Sequence, residues 1–251
     1  MYLEYYVVPI VAVLKSDTSK FRFLGTGFFV GNEGHLVTCA HVVRQVTELE
    51  SLQCFQIGRK KWIPLSIIRI MTDYDLALCM GIRPETKLEM PLFAEPFVQL
   101  GTDVDTYGYL HEPKGQDRLP FCRRVMRGYI TSIPESLEYP NTYELSFPAL
   151  FGYSGAPILS RFNIEGENQS TLGIIGCIYG SRESSIIKHI ELVHEVTEEN
   201  KVEREREVTA RIVELGLAYN VKALFILFQE SELTITIYPS SLLDELGYQK
   251  I

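Results

Sequence analysis

Short runs rich in β-branched and aromatic residues, cut at nearly regular intervals by turn residues, restrict the fold of this chain more than any other feature. In the first half they are Val7–Leu14, Phe21–Val30, His35–Thr38, Cys54–Ile57, Trp62–Ile70 and Leu76–Met80. Ser16-Asp17, Gly31-Asn32-Glu33-Gly34 and Gly58-Arg59-Lys60-Lys61 separate them. Many short strands joined by turns predict an all-β sandwich or barrel. The second half repeats the style with Asp103–Leu110, Cys122–Ser132, Tyr143–Phe147, Pro157–Leu159 and Leu172–Tyr179. Between the halves, Ile82–Leu100 holds Pro84, Pro91 and Pro96 and reads as a connection. Two packed β lobes follow, with a boundary near residues 90–100.

Residues 183–213 differ in kind. The stretch from Glu195 to Val208 is dense in charge, with Val196, Val202, Val208, Ala210 and Ile212 at even spacings. Even spacing suits a protruding two-stranded ribbon turning at Glu199-Asn200. The Glu and Arg content also allows a solvated helix with i,i+4 pairs. The ribbon is favoured because Val and Thr lose rotamer freedom in a helix. Beyond this insertion, Val213–Tyr219 reads as a strand and Val221–Phe228 as a short helix. Leu233–Tyr238 alternates like one more strand, and Ser240–Leu246 opens like a capped helix.

Composition excludes several function classes. The 251 residues carry a net charge of −8, which argues against nucleic acid and against a polybasic contact with a membrane. Five cysteines, Cys39, Cys54, Cys79, Cys122 and Cys177, are scattered without a CxxC pair. An odd, unpaired set predicts buried free thiols in a reducing compartment, and none has metal-ligand spacing, so neither metal nor cofactor is expected. Met1–Ile10 has no basic region before its apolar residues, and no apolar run approaches a membrane span. A cytoplasmic protein is expected.

Three segments carry chemistry: Thr38-Cys39-Ala40-His41, Asp73-Tyr74-Asp75-Leu76-Ala77-Leu78 and Gly152-Tyr153-Ser154-Gly155-Ala156-Pro157. A serine hydroxyl is a poor nucleophile until an imidazole takes its proton and a carboxylate holds that imidazole in the right tautomer. Gly152 and Gly155 let the chain turn tightly around Ser154, so the amides of Gly152 and Ser154 can point together at a developing oxyanion. Asp75 adjoins the apolar run Leu76–Leu78, where a carboxylate is partly desolvated; Asp73, two residues earlier, is its rival. His35, His111, His189 and His194 have no comparable context.

Taken in order with Gly25-Thr26-Gly27-Phe28-Phe29-Val30, these segments resemble trypsin-like serine proteases, above all the compact bacterial, HtrA-like branch. Each motif alone is unspecific; the ordered set, covering roughly residues 5–228, is not. The resemblance implies two packed six-stranded antiparallel β-barrels of chymotrypsin type, with a short C-terminal helix and the charged insertion. The protease domain would span 1–228, with an N-lobe at about 5–90, a C-lobe at about 100–228 and an extension at 229–251. No PDZ module is expected after it. His41 is implied as general base, Asp75 as its orienter, Ser154 as nucleophile, and the Gly152 and Ser154 amides as the oxyanion hole. Ile178, Tyr179 and Gly180 resemble the strand that pairs with an extended substrate. Val213–Tyr219, with Gly216, resembles the strand closing the specificity pocket, and the resemblance implies a floor near Phe147, Pro148, Ala149 and Leu150. That floor holds no acid, so a small or apolar residue is expected on the N-terminal side of the scissile bond.

Tyr153 stands where digestive members carry an aspartate that pairs with a freed N-terminus, so activation by N-terminal cleavage is not expected. The implied function is an intracellular serine endopeptidase acting on proteins or peptides, of narrow or partner-regulated specificity. A regulatory protein could act through 183–213. The alternative is a catalytically weak, protease-shaped module that binds a peptide or partner, since fold does not fix function.

Overall fold

The computed structural model describes residues 3–31, 33–56, 60–82, 92–93, 98–112, 121–134, 140–163, 170–197, 200–233 and 237–238. Two β-sheets dominate. The first contains β1 (Val7–Leu14), β2 (Phe21–Val30), β3 (His35–Thr38), β4 (Glu50–Gln56), β5 (Lys61–Pro64), β6 (Ser66–Ile70) and β7 (Ala77–Met80). Their spatial order is β5-β4-β1-β2-β3-β7-β6. β5 and β6 are the two halves of the run expected as one strand, Trp62–Ile70. The chain bends at Leu65, whose amide donates to the Leu52 carbonyl at 3.0 Å. One half therefore pairs with β4 and the other with β7, so a single bent segment joins the two edges of this half-barrel sheet.

The second sheet contains β8 (Leu92–Phe93), β9 (Asp103–His111), β10 (Phe121–Ser132), β11 (Thr142–Leu145), β12 (Pro157–Phe162), β13 (Thr171–Thr197), β14 (Asn200–Asn220) and β15 (Ile237–Tyr238). The order β12-β9-β10-β11-β14-β13 closes on itself through β12–β13 pairing, giving a six-stranded barrel. β8 is a two-residue strand inside the stretch read as a connection; it pairs in parallel with β13 and β15. The expected helix at 240–246 lies outside the described residues, as does most of the 229–251 extension.

The charged insertion is a ribbon. β13 and β14 pair continuously from the barrel to Thr197↔Asn200, one residue from the expected turn position. At about 3.3 Å per residue, the part beyond Ser181↔Gly216 projects on the order of 50 Å.

Helix α2 (Val221–Glu230) starts where Asn220 caps it. The Asn220 side chain accepts from the amides of Lys222 and Ala223 at 3.0 and 3.3 Å, as an N-cap should. Its buried Val221, Ala223, Leu224, Leu227 and Phe228 pack into the same apolar cluster as β1, β2 and β7. The same cluster takes in Leu159, Ile174 and Cys177 of the second sheet, so the helix packs where the two sheets meet, and Arg69 of β6 reaches Glu230 at 2.7 Å. The second cluster fills the other barrel with Val104, Ile130, Tyr143, Tyr153, Ile158 and Ile175. No helix among the described residues is long and apolar enough to cross a membrane.

Candidate active site

A five-residue helix, α1 (Ala40–Arg44), carries His41. It was not legible as a helix, because five residues hold too little periodicity. The first amides of any helix lack intrahelical acceptors. Cys39, at the N-cap, supplies no side-chain acceptor. Asp75 supplies two: its carbonyl accepts from Ala40 N at 3.1 Å and its Oδ1 from His41 N at 2.8 Å. Its other oxygen, Oδ2, is hydrogen-bonded to His41 Nδ1. One carboxylate therefore fixes both the backbone and the ring of His41. The last turn is tied down too, since Arg22 of β2 donates to the Gln45 carbonyl and forms a two-pronged pair with Glu50. Arg22 holds the Glu50 carboxyl down to about 2.

Asp75 sits at the mouth of β7, whose pairing with β3 brings it beside α1 (Thr38↔Ala77). Asp73 is exposed, and its carboxylate accepts from Thr72 Oγ1. The Asp75 amide is itself held by the Tyr219 hydroxyl at 3.0 Å. Tyr219 stacks on Tyr179 at 4.2 Å and meets Tyr74 edge-on at 5.5 Å. Tyr74 in turn accepts from Asn141 Nδ2 at 2.7 Å. Burial pushes the Tyr219 phenol up to about 12, so it stays neutral next to the carboxylate. Sequence reasoning missed Tyr219, whose partner is 144 residues away and leaves no local signal.

The serine turn is set by hydrogen bonds around Ser154. Tyr153 N donates to Leu150 O, Ala156 N to Tyr153 O, and Gly155 N to Ile178 O, at 2.8–2.9 Å. Among the described residues, no backbone carbonyl takes the amides of Gly152 or Ser154. Tyr153 is fully buried in the second barrel, where its ring packs so closely on Gly108 that a Cβ there would lie 2.8 Å from it. The Tyr153 ring thus wedges the turn against β9.

Ile178 stands behind the turn. Its side chain is wholly buried, its carbonyl accepts from Gly155, and its amide donates to Ala156 O at 2.8 Å. It supports the turn and has no main-chain group left for a substrate. The strand register slips at the next residue, Tyr179, between Ile178↔Ala218 and Gly180↔Leu217. Residues 147–150 and Gly216 are brought together: Gly216 N donates to Phe147 O at 2.7 Å, and a Cβ on Gly216 would lie 2.6 Å from that oxygen. Ser181, which the motifs did not single out, fastens the same segment, accepting from Ala149 N at 2.7 Å. Phe151 beside Gly152 is 84% exposed.

Cys39 Sγ, His41 and Asp75 place ligand-type atoms within 4.8 Å of one another. They make a poor metal site. Burial holds the Cys39 thiol well above its usual pKa, its Sγ donates to Ile178 O at 3.2 Å, and Asp75 already occupies His41 Nδ1. A cysteine ligates a metal as the thiolate, which the burial and hydrogen bond of this thiol disfavour.

Comparison with known proteins agrees with this architecture. The family model of the trypsin-like peptidase domain matches residues 25–163, more than half of the chain. A curated relative, the uncharacterized protein y4bJ of Sinorhizobium fredii, is 26% identical over 155 residues, 61% of this chain. The chain spans 23% of that protein's length. The crystal structure of the Rv3671c protease from M. tuberculosis in its active form has a TM-score of 0.55 at 16% identity, over 93% of this chain and 84% of that one. The HtrA-type protease AlgW with decapeptide has a TM-score of 0.59 at 13% identity, over 99% and 74%. The family model covers more than half of the chain and the fold agrees with it: this chain belongs to the trypsin-like peptidase domain family.

Proposed function

We propose that the chain is an endopeptidase that cleaves through an acyl-enzyme on Ser154. His41 is its general base, Asp75 the orienter of that base, and the amides of Gly152 and Ser154 the oxyanion donors. The observation that carries this reading is the double engagement of His41 by Asp75, through the backbone amide and through Nδ1. With Nδ1 bound to a carboxylate, the proton of a neutral imidazole lies on that side and Nε2 is left to accept the serine proton. Attack of Oγ on the substrate carbonyl carbon breaks its π bond and puts the charge on oxygen, where preorganised amides are worth most. The imidazolium then protonates the leaving amine, and water, activated by the same base, hydrolyses the ester.

Pro148, Ala149, Leu150 and Gly216 would line the pocket, with Tyr179 and Gly180 offering an edge to an extended peptide. Without an acid at the floor, a small or apolar side chain fits it. AlgW was solved with a decapeptide, and a peptide laid along β13 is the arrangement proposed here. The protease unit is assigned to 1–228 with an extension at 229–251, in a cytoplasmic setting. Because the ribbon continues β13 directly, a regulatory protein gripping it would act on the strand that holds the substrate. Removing residues 186–208 is expected to change activity or specificity; an unaltered enzyme would withdraw that role.

A fluorophosphonate probe followed by peptide mapping tests the central reading. The expected result is one adduct, on Ser154. A chain that stays unlabelled, or is labelled elsewhere, would instead favour a binding module.

A further inference from the structure

We infer that Thr26, in the first barrel, is the positioning residue that holds the nucleophile turn of the second barrel in its donor geometry. The inference rests on the reading of Ser154 given above. Strand β3 pairs with β2 only from Phe28 onward, so β2 has an open edge at Thr26. On its other side Thr26 faces Pro9, which has no N–H to offer. The Ser154 turn docks on this edge in place of a strand.

Every polar group of Thr26, which is completely buried, is used there. Its amide donates to the Ser154 carbonyl at 2.9 Å. Its hydroxyl donates to the Gly152 carbonyl at 2.7 Å and accepts from Tyr109 N at 3.0 Å. Its own carbonyl accepts from the Thr38 hydroxyl at 2.7 Å, three residues before His41. The two carbonyls that Thr26 holds belong to the two residues whose amides are the proposed oxyanion donors. Each of those amides is separated from a held carbonyl only by the two torsions of its own residue. One residue thereby ties the base, through Thr38, and the oxyanion donors to a common reference. Sites of this kind tolerate errors of only about 0.5 Å.

The hydroxyl is the separable part. Thr26→Val keeps the shape and removes both hydroxyl bonds, the one to the Gly152 carbonyl and the one from the Tyr109 amide. Losing an oxyanion donor outright typically lowers rate by about 10²–10³, and a misaimed one by less. Thr26→Val is therefore expected to lower kcat and the rate of fluorophosphonate acylation by about 10–100-fold with KM within about twofold. Thr26→Ser, which retains the hydroxyl, is expected to restore kcat to within about threefold.

Both variants are assayed well below their melting temperatures, where a residue that only stabilises the fold would leave kcat unchanged. If Thr26→Val does not fold, Thr26→Cys, whose thiol is a weak donor, takes its place with the same expected loss. A Val or Cys variant with kcat within twofold of wild type would overturn the assignment. So would a Ser variant as slow as Val. If the wild type itself does not react with the probe, it is the reading of Ser154 that fails, and the two failures are distinct.

Discussion

Asp75→Asn is expected to lower kcat by about 10⁴ while leaving KM and the melting temperature nearly unchanged. The site geometry dictates how the new carboxamide will sit. His41 N–H donates to Oδ1, so the carboxamide oxygen must stay there, or two N–H groups would face each other. The NH₂ group is then directed at His41 Nδ1. An amide N–H donates, so Nδ1 becomes an acceptor and the ring proton moves to Nε2. An imidazole protonated on Nε2 cannot take the serine proton. The helix keeps its N-terminal bonds, which is why stability should hold. Steady-state kinetics on a peptide substrate reads the loss, and the imidazole nitrogen shifts in an NMR spectrum read the tautomer. An Asp75→Asn variant within tenfold of wild type, or one with the proton still on Nδ1, would remove Asp75 from the mechanism.

Gly155→Ala is expected to unfold the site and much of the chain's stability with it. Gly155 has φ +86°, a region where a Cβ is strained, and the added carbon would lie 2.1 Å from Thr26 O and 2.4 Å from Thr38 Oγ1. The two atoms are hydrogen-bonded to each other, and the Thr26 amide is bonded to the Ser154 carbonyl, so a retreat would break those bonds. Strain of about 1–3 kcal/mol for the backbone adds to about 1–3 kcal/mol for overpacking. For a protein of this size that is a fall in melting temperature of roughly 5–20 °C, with activity lost even in what remains folded. Gly180→Ala is the control, because nothing lies within 4 Å of its added Cβ; its melting temperature should stay within about 2 °C. Thermal unfolding followed by circular dichroism compares the two. A Gly155→Ala protein as stable as the control would mean that the turn relaxes freely.

Strand positions and the G-Y-S-G turn were legible because their signals are local. Alternation within eight or ten residues marks a strand, and glycines mark the tight turn. The bend at Leu65 was not legible, since both halves of Trp62–Ile70 read as continuous strand; the barrel must turn a corner there to pair with β4 and β7. The short strand Leu92–Phe93 was hidden among prolines, and only its pairing with β13 and β15 makes it a strand. Ile178 looked like part of a substrate edge, but the barrel closes with its backbone committed to Gly155 and Ala156.

By itself the sequence determined the residue types, their order along the chain and the absence of an acid from 147–150, and it favoured a ribbon over a helix at 183–213. All of these are short-range: side-chain period, turn chemistry and composition. Tertiary structure alone decided which carboxylate meets His41, because the pairing of β3 with β7 puts Asp75 at the start of α1 and leaves Asp73 in solvent. It also decided what holds the site: Tyr219 on the Asp75 amide, Ser181 on Ala149, Tyr153 against Gly108, and Thr26 on the Ser154 turn. Those contacts join residues 32 to 144 positions apart. Contacts of that reach arise only when the folded sheets bring distant segments together, and no local pattern encodes which segment will meet which.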